Sequence, residues 1–127
     1  RLTMNAWAKF VALHLRGDTA NPAHQAQLLS ANSFATLHTA ATGSFYESGW
    51  IVHQRSWAKG SRPADTGRAL SSEGDNGFWH VEAWLAPEID LAVLIVCNQG
   101  GATSDKPAAR ACKAALDALV RDFGATP

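Results

Sequence analysis

The sequence predicts an α+β fold: an antiparallel β-meander of three to four strands, an N-terminal helix, short helical pieces, and a C-terminal helix packed on the sheet. Three observations carry this. Met4, Trp7, Ala8, Val11 and Leu15 recur at helical spacing. Residues 78–97 then switch to strand-like runs broken by Pro87-Glu88. Pro107 finally opens a stretch whose apolar positions, Cys112, Leu116, Leu119, Val120 and Phe123, again follow the helical period. Helices at the two ends of a run of strands favour segregated α and β layers over alternating βαβ units.

The elements follow in order. Thr3 is a suitable N-cap for a helix over residues 4–16, and Gly17 a suitable stop. Residues 18–22 read as a loop and residues 23–29 as a weaker helical stretch. Residues 33–39 suit one or two helical turns capped by Ser33. Tyr46 to Trp57, aromatic and β-branched with Gly49 inside it, reads as one strand. Residues 58–66 hold Lys, Gly, Ser, Arg, Pro and Asp and read as a connection. Residues 67–72 form a short strand. Gly74-Asp75-Asn76-Gly77 is a turn cluster with two residues free to take positive φ. Residues 78–85 form a strand, and residues 86–89 link it to an antiparallel neighbour over residues 90–97. That neighbour is apolar almost throughout, which predicts a central strand covered on both faces. The last helix runs from Pro107 to about Phe123.

Composition bounds what such a chain does. With 127 residues it suits a single domain spanning residues 1–127. Of its hydrophobic residues 24 are Ala, while Leu, Ile, Val and Phe together number 26, so the five Trp must supply much of the packing area. Eleven basic residues balance eleven acidic ones, which leaves no electrostatic footprint for nucleic acid. No apolar run reaches the roughly 18 to 20 residues of a membrane span. Cys97 and Cys112 are too few for a disulfide framework and read as two buried thiols.

The chemistry-bearing residues are scattered. His14, His24, His38, His53 and His80 show no i, i+4 pairing and no Cys/His spacing, so no metal site and no cofactor is predicted. Glu82, Glu88 and Asp90 flank the predicted hairpin and read as solvated carboxylates. Ser30, Ser33, Ser44, Ser48, Ser71 and Ser72 are nucleophiles by type only; none stands in G-x-S-x-G. Ser56-Trp57-Ala58-Lys59 matches S-x-x-K literally. That spacing has meaning only on a helix, where it puts Lys on the Ser face, and here a strand-like run enters a loop.

The stretch from Gly67 to Gly101 resembles the C-terminal part of the β-lactamase-related serine hydrolases: class C β-lactamases, D,D-peptidases and penicillin-binding esterases. In that family a strand bearing K-T-G or H-x-G is followed by a turn, a strand ending in Pro at a hairpin, and an apolar strand ending in Asn. Gly74 falls on the motif glycine, residues 78–87 on the second strand and its turn, and residues 90–98 on the third. Leu37-His38-Thr39, Tyr46, Gly49-Trp50, and the helix Trp7-Ala8-Lys9-Phe10 to Leu15-Arg16-Gly17 extend the resemblance over roughly residues 3–120.

The resemblance implies acyl transfer by a Ser nucleophile activated by a Lys one helical turn later. Only the strand motif maps onto this chain. Ser72 falls on the basic residue, Glu73 on the next position and Gly74 on the glycine. Asp75, followed by Asn76, falls where a backbone N–H would serve the oxyanion hole. Ser72 replaces Lys or His, and Glu73 and Asp75 add negative charge that would repel an anionic substrate. The family's order places the helical S-x-x-K and the Y-x-N element before Arg1, and Tyr46 does not match the latter. No catalytic residue is therefore assigned, and Ser72, Glu73, Gly74, Asp75 and Asn76 are the expected lining of a degenerate substrate site.

Two expectations of function follow. The chain forms one wall of an acyl-transfer cleft whose nucleophile comes from a missing N-terminal segment or a second chain. Alternatively it is a free-standing, non-enzymatic module that self-associates as a homo-oligomer or binds a small ligand, with Trp7, Trp50, Trp57, Trp79 and Trp84 as interface residues.

Overall fold

A computed structural model describes residues 2–17, 28–101 and 106–124. It places helix α1 at Met4–Gly17, α2 at Ala31–Leu37 and α3 at Pro107–Phe123. Five strands, β1 (Tyr46–Glu47), β2 (Trp50–Gln54), β3 (Arg68–Asp75), β4 (His80–Ala86) and β5 (Leu91–Cys97), form one antiparallel sheet in the order β1-β2-β3-β4-β5. The α+β meander stands, with one more strand than expected. The predicted loop over residues 18–22 and residues 23–27 of the predicted helical stretch lie outside the described residues, and Leu28 and Leu29, which ended that stretch, are not helical.

The extra strand comes from a turn hidden inside an aromatic run. Ser48 (φ 48°) and Gly49 (φ 92°) both adopt positive φ. A two-residue connection of that kind matches the twist of an antiparallel hairpin, so residues 46–57 fold back on themselves instead of continuing. The second half ends at Gln54, and Ser56–Ala58 forms a single 3-10 turn.

Strand β3 runs three residues past its expected end, and Gly74 sits inside it opposite Val81. Of the expected turn glycines only Gly77 has positive φ, at 87°. Strand β5 is a sheet edge, not a central strand. Its apolar run arises because helices cover both of its faces, which constrains composition as a central position would. The cap of α2 is Ser30, not Ser33: the Ser33 backbone N–H donates to Ser30 Oγ at 3.1 Å. Thr3 caps α1 as expected, accepting from the Ala6 N–H at 3.2 Å.

Alternation in β4 divides the molecule into two packed layers. Ala83 and Leu85 face α1, joining Val11, Leu15, Trp50 and Leu70 in the main core. His80, Glu82 and Trp84 point to the opposite face, where α3 brings Cys112 beside His80 and Glu82. The end of α3 is less buried than its period implies, and Phe123 is exposed. A smaller cluster of Ala58, Ala69 and Ala86, with Trp57, Ile89 and Leu91 against it, closes the far end of the sheet.

Glu88, in the 3-10 turn Pro87–Ile89, fastens the β2–β3 connection to the β4–β5 turn. Its carboxylate accepts backbone N–H bonds from Thr66 (3.0 Å), Gly67 (2.8 Å), Arg68 (3.3 Å) and Gly60 (3.4 Å). Burial acts to raise its pKa, and these four donors outweigh that and hold it below the ordinary carboxylate value. A residue read as a solvated carboxylate is thus a structural clasp.

Two predictions come from the α1 side. A Cβ on Gly17 would lie 2.4 Å from the fully buried Phe34 ring. Gly17→Ala therefore lowers stability by about 1–3 kcal/mol in urea unfolding, the clash outweighing the helix-propensity gain of under about 1 kcal/mol. His14 Nδ1 lies 2.9 Å from Nε2 of the fully buried His38. Burial first, and the His38 charge second, lower the His14 pKa below 6.5. The folded chain thus holds this proton more weakly than the unfolded chain. The His14 contribution is complete above pH 6.5 and declines as pH falls through that value. Urea midpoints measured between pH 8 and pH 5 drop less steeply in His14→Gln.

Candidate functional site

The expected substrate-site residues occupy the end of β3 and the turn that follows. Leu70 faces α1, so by strand alternation Ser72 and Gly74 share its face, while Ser71, Glu73 and Asp75 face the α3 side. Glu73 is exposed and sits opposite Glu82 in register. Gly74 has ordinary φ, and a Cβ there would meet Val81 Cγ2 at 3.4 Å, so the local backbone does not itself demand glycine.

Asp75 and Asn76 spend their side chains on the backbone. Asp75 Oδ1 accepts from the Gly77 N–H at 2.7 Å and from the Gly101 N–H at 2.9 Å, tying the β3–β4 turn to the segment after β5. Its Oδ2 lies 3.4 Å from His80 Nδ1. The Gly77 and Gly101 bonds, with a further contribution from His80, lower the Asp75 pKa. Asn76 Oδ1 accepts from Phe78 N–H (3.1 Å) and Trp79 N–H (2.9 Å). Gly100 must stay small, because a Cβ there would fall 2.8 Å from both Asp75 Oδ1 and Trp79 N. Glu73 and Asp75 both lie on the sheet face opposite Ser72, and the Asp75 charge is answered by backbone dipoles.

Five of the other serines are similarly engaged. Ser30 and Ser33 hydrogen-bond each other, Ser44 donates to Tyr46 O, and Ser48 donates to Glu47 Oε1. Ser71 Oγ lies 2.8 Å from His53 Nε2, a nucleophile–base distance that the sequence did not bring out. The tautomer opposes catalysis. Arg55 Nη2, 3.4 Å from His53 Nδ1, is a donor only, so Nδ1 must accept and Nε2 carries the hydrogen that goes to Ser71. Burial and Arg55 also lower the His53 pKa. A general base needs a carboxylate where this guanidinium stands. Ser72, half-buried, makes no side-chain hydrogen bond among the described residues.

Ser56 opens a 3-10 turn, not the end of a strand, and the Lys59 N–H donates to the Ser56 carbonyl at 3.2 Å. Ser56 and Lys59 are both exposed, and no hydrogen bond joins their side chains among the described residues. Tyr46 is exposed on the edge strand β1.

The cluster that spacing missed is His80, Glu82 and Cys112. All three are buried, and their ligating atoms lie within 4.8 Å of one another. The i, i+2 signal of His80 and Glu82 on a strand was legible. Its third member comes from a helix thirty residues later, which no local motif encodes.

The family model for beta-lactamase matches residues 1–117, and the chain belongs to that family, the β-lactamase-related serine hydrolases. No curated protein and no solved structure matched the chain.

Asp75→Ala should release the Gly77 and Gly101 amides, seen as faster hydrogen exchange at both, while Asp75→Asn, which keeps an acceptor oxygen, restores part of the protection.

Proposed function

We propose that this chain supplies the sheet wall of an acyl-transfer cleft of the β-lactamase-like serine hydrolase type, and that it does not carry the nucleophile. The observation behind this reading is the state of its serines. Among the described residues Ser30, Ser33, Ser44, Ser48 and Ser71 are engaged in caps, turns or a wrongly polarised His53 bond, while Ser56, Ser61 and Ser72 make no side-chain hydrogen bond to an activating base. Ser72 sits on the family's substrate-binding strand with its hydroxyl uncommitted, so its role is to hydrogen-bond a substrate. With no Lys or His in the motif to attract an anion, the wall suits a neutral ester or amide better than a carboxylate-bearing β-lactam. The attacking Ser and its activating Lys come from residues outside the described wall, in an upstream segment or a second chain.

A non-enzymatic, self-associating module is the second reading, and one observation favours it. Phe78 and Trp79, adjacent at the β3–β4 turn, are 77% and 51% exposed. Of the five Trp only Trp79 is exposed and Trp50 is core, so a self-association surface would centre on that turn and not on the Trp set as a whole.

Hydrolysis of p-nitrophenyl esters and nitrocefin by the purified chain is expected at the buffer rate. Joining an S-x-x-K-bearing upstream segment should raise ester turnover by at least about a hundredfold, the scale of a positioned base acting on a nucleophile. Turnover above background that disappears in Ser72→Ala, without any added segment, would show instead that the chain holds its own nucleophile.

A further inference from the structure

We propose that His80, Glu82 and Cys112 form a binding site for a zinc-like divalent cation between β4 and α3. The nitrogen, oxygen and sulfur donors of this trio, all buried and within 4.8 Å of one another, are a set that suits a borderline-soft metal.

The surroundings of each donor are those a metal ligand needs. His80 Nδ1 faces Asp75 Oδ2 at 3.4 Å, which holds the ring with its other nitrogen, Nε2, turned into the cluster. Glu82 Oε2 accepts from Trp84 Nε1 at 3.1 Å, which leaves Oε1 directed at His80 Nε2, 3.2 Å away. Such outer partners fix ligand orientation and raise ligand basicity in metal sites. Tetrahedral coordination at ordinary zinc distances puts donors about 3.3–3.8 Å apart, so closing the trio requires movement of about 1 Å.

A bound divalent ion would take the Cys112 sulfur as thiolate, release the thiol proton to solvent, and neutralise Glu82 and Cys112 together. An approach exists: a groove of about 330 Å³, lined in part by Trp79, Cys97, Asn98, Cys112 and Ala115, opens beside Cys112. A water entering by this route completes the coordination. Cys97, opposite His80 in register, lines the entry and is not a ligand.

Cobalt(II) titration of the purified protein tests this. A thiolate-to-cobalt charge-transfer band should grow to one ion per chain and be bleached by zinc. Cys112→Ser should abolish the band, and Cys97→Ser should leave both band and stoichiometry unchanged. Glu82→Gln keeps the side-chain shape and an acceptor for Trp84, and should weaken cobalt binding at least about tenfold. It decides the matter if Cys112→Ser fails to fold by circular dichroism. Absence of a thiolate band in the unmutated protein overturns the proposal, as does a band that survives in folded Cys112→Ser or undiminished affinity in Glu82→Gln. Loss of the band in Cys97→Ser overturns the three-ligand assignment.

Discussion

The alternation of side chains along β4 is the constraint on which the rest of the molecule depends. Val81, Ala83 and Leu85 point one way and His80, Glu82 and Trp84 the other, because successive strand residues face opposite sides of a sheet. In the first set Ala83 and Leu85 build the main core with Val11, Leu15, Leu70 and Trp50. In the second set His80 and Glu82 are buried beside Cys112 of α3, while Trp84 is half-buried. Shifting the register by one residue would place Glu82 in the aliphatic core and Leu85 against the far layer, so both layers specify one register.

A buried carboxylate is costly unless its oxygens are satisfied. Glu82 meets that demand with Trp84 Nε1 and His80 Nε2, and His80 in turn reaches Asp75. Asp75 then clasps Gly77 and Gly101. The chain of contacts runs from the middle of the sheet to the turn beside Ser72. Strand β3 is thereby held on its α3-facing side by polar groups, while Ser72 lies on its α1-facing side.

The fold was largely legible in the sequence, because the helical period of α1 and α3 and the Pro87 break are local signals. The turn at Ser48-Gly49 was not, since Ser48 adopts positive φ without being glycine and the aromatic residues around it read as one strand. The edge position of β5 was hidden for a different reason: composition reports how many faces are covered, not how many strands lie alongside. In the site, Ser72 to Asn76 could be placed by resemblance, but the local bonds of Asp75 and Asn76 depend on Gly101 and on backbone amides that no motif names. The roles of Glu88 and of the His53–Ser71 pair likewise arise from residues distant in sequence. Membership of the β-lactamase family over residues 1–117 agrees with the order and spacing of the strand elements.

The central claim is that this chain lines an acyl-transfer cleft without holding the attacking serine. Intact-protein mass spectrometry after incubation with a fluorophosphonate and, separately, a β-lactam tests it most directly. The account predicts an unchanged mass in both cases. A stoichiometric adduct that maps to a serine of residues 1–127 would contradict it.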